Sequence, residues 1–352
     1  MLPGMPEGDI LYDSFTVNNI VDLTVIQQYR VIEGRLTING TELTRISLPN
    51  LESVGFISIQ DNDLITRVEL PNLATVRGYV SVYRNPRLPS LGLPLLESIG
   101  EFLRVEDNSR LEEVAFPELT AVADYVLFNS NAVATLEPTF PGLASVGGNL
   151  TIRNNDRLTT FSGSFPALVS VGGYLNIQDH GALTTLGDGF PVLEAIGGYL
   201  NIYNNSALED FGSAFPTLTA VGSLLAVWYN YALTEVRFPA LETIGGQLSI
   251  GGRNSSNYGN RVLRHIAFPA LTTIRGGEDG RCLTDGYPLR CGNHNFSIDM
   301  SYNSNLPQCL VDYYRNSDNV TREFGGANSR SNRGDCDCAM VDGEMRATCP
   351  DD

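Results

Sequence analysis

The sequence predicts an all-β fold, a parallel β-solenoid of about ten turns that is closed by a disulfide-stapled C-terminal cap. Three observations predict it. A phrase of about 25 residues, Phe-Pro-x-Leu-x-x-(Val/Ile)-Gly-Gly-x-Leu-x-Ile-x-x-Asn-x-x-Leu, recurs through most of the chain. Part of each copy alternates apolar and other residues, and all six cysteines lie in the last 71 residues. Self-similarity at this period is typical of a solenoid, in which stacked neighbours bury their apolar faces together.

A proline marks each copy of the phrase, and successive prolines are 22 to 25 residues apart except for one step of 30. The ten prolines are Pro49, Pro71, Pro94, Pro117, Pro141, Pro166, Pro191, Pro216, Pro239 and Pro269. Proline at the start of the phrase fits a fixed, extended corner where no backbone N–H has to donate a hydrogen bond to a neighbouring strand. The Gly-Gly pair predicts a tight corner that requires a positive φ or a close backbone approach.

The Leu-x-Ile segment has the period of two expected for a strand with one buried face, and no other part of the turn sustains the helical period of 3.6. We predict one short strand per turn and a second short extended segment, as around Leu168 to Val171. Successive strands should be parallel, so that their inward residues stack in one row. That row is Leu36, Ile57, Val80, Leu103, Val126, Leu150, Leu175, Leu200, Leu225 and Leu248.

Asparagine recurs three residues after the second inward strand residue in seven of eight successive turns, and His180 replaces it in the other. The seven are Asn62, Asn85, Asn108, Asn131, Asn155, Asn205 and Asn230. We expect these side chains to form a buried ladder that bonds to backbone groups of neighbouring turns, because unpaired polar groups inside a corner are costly. The ladder is therefore interpreted as structural and not as a ligand site.

Turns such as FPALVSVGGYLNIQDHGALTTL and FPALETIGGQLSI resemble those of the receptor L-domain family. This family comprises the leucine-rich-repeat-like β-helices of insulin and epidermal-growth-factor receptor ectodomains and of bacterial and fungal surface proteins. Ordinary leucine-rich repeats follow Leu-x-x-Leu-x-Leu-x-x-Asn, and the segment from Val171 to Leu175 is one residue longer, which favours the L-domain type. The resemblance implies a right-handed β-helix that binds other molecules and has no catalytic activity. It transfers no particular ligand, because members share a scaffold and not a binding motif.

The repeat phrase also sets the predicted domain boundaries. Residues 1–30 lack the phrase and are expected to form an N-terminal cap, residues 31–275 form the L-domain-like β-solenoid repeats, and residues 276–352 form a Cys-rich C-terminal cap and tail. Residues 306–317 could form a short amphipathic helix that closes the stack, since terminal repeats need caps.

The cysteines predict about three disulfides in the C-terminal cap, because they are even in number and lie in a Gly/Asn/Asp-rich segment. They are Cys282, Cys291, Cys309, Cys336, Cys338 and Cys349. Cys282 and Cys291 are the easiest pair to assign. Zinc is the alternative, but no C-x-x-C pair occurs and the three histidines are scattered. Disulfides would place the chain outside the reducing cytosol, either secreted or at the cell surface.

Composition and motifs narrow the functional classes. A net charge of −17 argues against nucleic acid and anionic membranes as partners, since both need a basic face. No stretch approaches 18 apolar residues, so direct membrane insertion is not expected. The chain has no G-x-S-x-G, HExxH or P-loop motif, and its acidic C-terminal cluster fails the EF-hand spacing. We expect no enzymatic activity, no cofactor and no metal.

The outward side of the predicted strands carries most of the aromatic residues that the repeat does not require. The candidate ligand-binding residues are Phe56, Tyr79, Tyr83, Phe102, Tyr125, Tyr174, Tyr199, Tyr203 and Trp228. Rigid aromatics supply contact area at low entropic cost, which suits a sugar ring, a peptide or another protein. Alternatively, the rings only stack between neighbouring turns. Trp228, the sole tryptophan, is flanked by Tyr229 and Tyr231 and is the first residue to test.

The leading hypothesis is a non-catalytic extracellular or cell-surface recognition or adhesion protein that binds protein or glycan through its strand face. The alternative is a self-assembling structural component of a surface layer or extracellular filament, in which this face or the open ends pair with copies of the chain. An ice-binding surface would need a regular Thr-x-Thr array, and the outward residues of the strands are too mixed for that.

Overall fold

The structure is a computed structural model that describes residues 9–251, 259–275, 296–300, 303–316, 321–322, 326–328, 336–341 and 344–349. Parallel strands stack into a β-solenoid of about 11 turns, which confirms the predicted fold class. The first parallel pairing lies ahead of the repeat phrase, where Ile10–Leu11 and Phe15–Val17 both pair with Val31–Asn39. Residues assigned to the N-terminal cap therefore also continue the parallel sheet.

The Leu-x-Ile segments form one sheet, which we call the main sheet. Each strand pairs in register with the same segment of the next turn, as Leu175 does with Leu150 and Leu200. Its strands are Phe15–Val17, Val31–Asn39, Ser53–Gln60, Val80–Tyr83, Leu103–Glu106, Val126–Asn129, Leu150–Arg153, Leu175–Gln178, Leu200–Tyr203, Leu225–Trp228, Leu248–Gly251, Phe296–Asp299 and Gly326–Asn328.

A second set of short strands precedes the main strands, as the extended segment around Leu168 to Val171 predicted. Val31–Asn39 and Ser53–Gln60 span both segments without a break. The separate short strands are Ile10–Leu11, Thr75–Val76, Ser98–Ile99, Ala121–Val122, Ser145–Val146, Ser170–Val171, Ala195–Ile196, Ala220–Val221, Thr243–Ile244, Thr273–Ile274 and Thr321–Arg322.

A third part of the turn forms parallel pairs in some turns: Arg45–Ser47 with Arg67–Glu69, Ser90–Gly92 with Glu113–Ala115, and Glu235–Arg237 with His265–Ala267. The one antiparallel pair among the described strands is Asp337–Val341 with Glu344–Thr348, near the C-terminus.

The core lies inside the coil, and every residue of the predicted inward row is at most 1% exposed. The phenylalanine that precedes the proline of the phrase forms a second internal stack, with successive ring centroids 5.2 to 5.7 Å apart. These rings belong to Phe116, Phe140, Phe165, Phe190, Phe215, Phe238 and Phe268. Tyr314 of the helix Gln308–Asn316 contacts the ring of Phe268 and accepts a 2.9 Å hydrogen bond from its backbone N–H. The predicted C-terminal helix is confirmed, and it packs against the last ring of the stack.

The Gly-Gly corner is explained by close approach of the backbone. A Cβ atom at Gly197 would collide with the carbonyl oxygen of Gly172 in the preceding turn, and one at Gly222 would collide with that of Gly197. At Gly197 and Gly222 glycine permits this close approach, whereas Arg77 and Ala123 occupy the corresponding corner in other turns.

The asparagine ladder is also confirmed, and it continues to Asn260 and Asn303. All its members are buried. Asn205 is typical: its Nδ2 donates to the carbonyl of Ile177, 3.1 Å away, and its Oδ1 accepts from the N–H of His180 at 3.2 Å. Each amide thus satisfies backbone groups of the neighbouring turn.

The N-terminal helix Ile20–Ile26 is capped by Asn19, whose side chain accepts from two backbone N–H groups. Leu23 and Ile26 are buried, whereas Val21 is 67% exposed. The helix therefore covers the coil with one face only.

Two disulfides lie near the C-terminus, Cys309–Cys338 and Cys336–Cys349. The first joins the closing helix to the antiparallel pair. The predicted Cys282–Cys291 pair falls outside the described residues. The two observed disulfides indicate an oxidising environment, outside the reducing cytosol. None of the helices in the described ranges is long and apolar enough to cross a membrane.

Candidate functional site

The outward side of the main sheet, which we call the strand face, carries three rows of side chains. The first row is Arg35, Phe56, Tyr79, Phe102, Tyr125, Asn149, Tyr174, Tyr199, Leu224 and Gln247. The middle row is Thr37, Ser58, Ser81, Arg104, Leu127, Thr151, Asn176, Asn201, Ala226 and Ser249. The third row is Asn39, Gln60, Tyr83, Glu106, Asn129, Arg153, Gln178, Tyr203, Trp228 and Gly251.

Four candidate aromatics form one half-buried stack at the N-terminal end of the first row. The ring centroids of Phe56 and Tyr79 are 5.2 Å apart with tilted planes. Tyr79 and Phe102, and then Phe102 and Tyr125, stack almost parallel at 4.6 Å. The structural interpretation of these rings therefore holds, since neighbouring turns stabilise each other through them. Their outer edges remain accessible.

The stack is interrupted at Asn149 and resumes with Tyr174 and Tyr199, whose centroids are 4.4 Å apart and whose planes differ by 8°. Asn149 occupies the strand between those of Tyr125 and Tyr174. One ring of an otherwise regular series is thus missing.

Tyr83 and Tyr203 lie in the third row and belong to different clusters. The guanidinium groups of Arg104 and Arg84 lie 4.3 and 4.9 Å from the centroid of the Tyr83 ring, within the range of cation–π contacts. Tyr203 meets Tyr229 edge-on at 5.1 Å. The structure therefore does not join all the candidate residues in one site.

Trp228 does not lie on an exposed platform, and that part of the prediction is wrong. Its side chain is 1% exposed and packs with Leu224 and Ala226 in a small apolar cluster on the outward side of the sheet. The indole Nε1–H donates a 2.8 Å hydrogen bond to Oγ of Ser249. Alternation placed Trp228 on the correct side of the strand, but its apolar neighbours bury it there.

A groove of about 660 Å³ opens on the strand face around the missing ring. It is lined by Tyr125, Leu127, Asn149, Thr151, Arg153, Asn154, Tyr174, Asn176, Gln178, Asp179, Tyr199, Asn201 and Tyr203. Four of the predicted candidates, all tyrosines, are therefore brought together. The amides and Arg153 were missed as ligand-binding residues, although the break of the aromatic row at Asn149 was visible in the sequence.

The floor of the groove is a chain of amides. Nδ2 of Asn201 donates to Oδ1 of Asn176 at 2.8 Å, and Nδ2 of Asn176 donates to Oε1 of Gln178 at 2.9 Å. Because both amides donate toward Gln178, Oδ1 of Asn201 is the acceptor at the end of the chain of hydrogen bonds. Asn201 is only 2% exposed, and no donor among the described residues reaches this oxygen. Nε of Arg153 is likewise buried without a partner in the described part of the chain.

Three tyrosines of the groove, Tyr125, Tyr199 and Tyr203, are neutral hydroxyl groups. Burial raises the pKa of Tyr125, Tyr199 and Tyr203 above the ordinary value for a phenol, because the charged phenolate is poorly solvated there. Each phenol can therefore donate and accept hydrogen bonds. Within the described ranges, no group of three or more His, Cys, Asp or Glu side chains is placed to hold a metal ion.

A scan against protein-family models, a search of curated proteins and a search of solved structures found no match to this chain.

Proposed function

We propose that this chain is a non-catalytic recognition or adhesion module that acts outside the reducing cytosol and binds a ligand, protein or glycan, on its strand face. The observation that carries the proposal is the groove between Tyr125 and Tyr203, whose floor contains buried polar atoms without partners. Such atoms cost free energy in the unbound protein, and a ligand that bonds to them recovers it. This combination is characteristic of binding sites more than of a purely structural sheet.

The shape of the scaffold supports the same function. The ladder asparagines, which the coil requires, bond to backbone groups of the neighbouring turn, as Asn205 does. The groove residues are variable between turns and are not needed by the repeat. A rigid sheet that holds such residues in place loses little entropy on binding.

Charge and compartment define the class of partner. The acidic balance of the chain disfavours nucleic acid and anionic membrane surfaces. The disulfides fit a secreted or surface-exposed protein. The resemblance of the repeat to receptor L-domains supports a role in recognition.

A printed array of purified glycans and extracellular proteins tests the proposal. We expect the wild-type chain to be retained on at least one probe, and the double variant Tyr174→Ala, Tyr203→Ala to lose that retention by about tenfold or more. Tyr12→Ala is the matched control, because Tyr12 is 65% exposed and lies off the strand face. The proposal fails if no probe is retained, or if the double variant and the control bind equally well.

A further inference from the structure

The missing ring at Asn149 creates a slot. Tyr125 stacks face to face on Phe102 at 4.6 Å and Tyr174 stacks on Tyr199 at 4.4 Å, so the opposite faces of Tyr125 and Tyr174 border the gap. These two residues are two strands apart, which is about 9.5 Å in a β-sheet. That distance accommodates one further ring between the two tyrosines.

The slot is open because the side chain of Asn149 is folded away from it. Its Oδ1 accepts a 3.1 Å hydrogen bond from the backbone N–H of Tyr174. The same oxygen lies over Gly173, where any Cβ atom would collide with it. The short side chain of Asn149 is thus held against the backbone of the next turn, where it lines the groove and places no ring between the two tyrosines.

The polar atoms without partners specify which functional groups the ring of a bound ligand must carry. Oδ1 of Asn201 needs a donor, and Nε of Arg153 needs an acceptor. A carboxylate would satisfy only the arginine, and an apolar ring would satisfy neither. A hydroxyl group both donates and accepts, so a ring with several hydroxyls can satisfy both positions.

The charges around the slot favour a neutral ligand. Arg153 contributes one positive charge to the groove and Asp179 one negative charge, which is held by a 2.7 Å hydrogen bond from Nδ2 of Asn204. The net charge of −17 on the whole chain disfavours acidic polymers.

We propose that the slot between Tyr125 and Tyr174 binds one pyranose ring of a neutral glycan, with sugar C–H faces against the tyrosines and hydroxyls on Asn201 and Arg153. The proposal rests on the proposed function only in taking the strand face as the binding surface. It names the ligand class that the wider proposal leaves open.

Filling the slot gives the sharpest test. Asn149→Tyr restores the missing ring, and position 149 follows a Gly-Gly pair as Tyr174 and Tyr199 do, so the variant should fold and extend the stack. Asn201→Ala removes the unsatisfied acceptor. Gln247→Ala is the control, because it truncates a side chain of the same row that lies outside the groove and is not a candidate ligand-binding residue. Unchanged circular dichroism and thermal midpoints establish that each variant is folded.

The probes are neutral hexasaccharides of glucose, mannose, galactose and N-acetylglucosamine, with hexagalacturonate as the acidic counterpart, measured by calorimetry. Protein from a bacterial host is used, because Asn149-Leu150-Thr151 fits the N-glycosylation pattern. We expect at least one neutral hexasaccharide to bind, with affinity reduced about tenfold or more by Asn149→Tyr and about fivefold by Asn201→Ala. Gln247→Ala should stay within about twofold of wild type.

Three results would overturn the proposal: binding of no neutral hexasaccharide, binding of the acidic one alone, or affinity that Asn149→Tyr leaves unchanged. If protein probes on the array are nevertheless retained in a Tyr174- and Tyr203-dependent way, the wider recognition function stands and only the glycan assignment falls.

Discussion

Replacement of His180 by asparagine is expected to remove a loss of stability that the wild-type protein shows in mild acid. His180 is fully buried in the asparagine ladder. Its Nδ1 accepts from the N–H of Asn155 at 3.2 Å, and its Nε2 lies 3.1 Å from the carbonyl oxygen of Ile152. These partners fit the neutral ring with the proton on Nε2, because a proton on Nδ1 would remove the acceptor for Asn155. The imidazole thus copies the two bonds that an asparagine amide makes in the ladder.

Burial lowers the pKa of His180 from 6.5 to about 4, although its backbone hydrogen bonds and Asp156 act in the opposite direction. The unfolded chain therefore binds a proton more readily than the folded chain between these two values. The contribution of neutral His180 to stability is complete above about pH 6.5 and is lost as the pH falls toward about 4. Linkage over this interval gives a loss of about 2 kcal/mol between pH 7.5 and pH 5.

The assay is urea unfolding followed by circular dichroism at both pH values, with wild type and His180→Asn compared under matched conditions. Carboxylates titrate in both proteins, so the difference between their pH dependences isolates His180. The variant should lose about 2 kcal/mol less than wild type on acidification. His265→Asn is the control, because His265 lies outside the ladder, and this variant should retain the His180-dependent loss in full.

The titration can also be followed directly through the imidazole resonances of labelled protein. A His180 midpoint near the ordinary value of 6.5 would refute the reasoning. So would equal losses of stability in wild type and His180→Asn, because the buried neutral ring would then contribute nothing to the acid response.

Three further outcomes are expected. In urea unfolding, Gly197→Ala should destabilise the fold by about 1–3 kcal/mol, because its Cβ meets the carbonyl of Gly172. Gly92→Ala should cost less than about 1 kcal/mol, because its Cβ would lie 3.9 Å from the nearest atom. Asn108→Ala should cost about 2 kcal/mol or more, because the buried N–H of Asn85 and carbonyl of Val82 lose their side-chain partner. The exposed Asn72→Ala should change stability by less than about 1 kcal/mol. Size-exclusion chromatography at rising concentration should show a monomer, and growth into large assemblies would instead favour the structural-filament alternative.

The repeat positions could be predicted from the sequence because each has the same role in every turn. The inward row, the ladder asparagines and the glycine corner are set by stacking, and stacking imposes one chemistry at each position, as at Leu175 and Asn205. Even His180, which breaks the pattern, could be placed in the ladder by register alone.

The groove could not be predicted in the same way because it arises from a departure from the repeat. Alternation shows that Asn149 faces outward, but the direction of its amide depends on Gly173 and on the backbone of Tyr174. Alternation likewise places Trp228 outward and says nothing about whether neighbouring side chains bury it. Periodicity therefore assigns a side of the sheet, while exposure depends on contacts between particular residues.

In-register pairing has a consequence for how the protein can change in length. Each turn advances the coil by one strand spacing, about 4.8 Å, whether it contains 22 or 25 residues. The length of the coil therefore depends on the number of turns and not on the number of residues in each turn, because extra residues project sideways at the corners. Removing one complete turn beyond the groove should shorten the distance to the C-terminal helix by one strand spacing while leaving the slot between Tyr125 and Tyr174 unaltered.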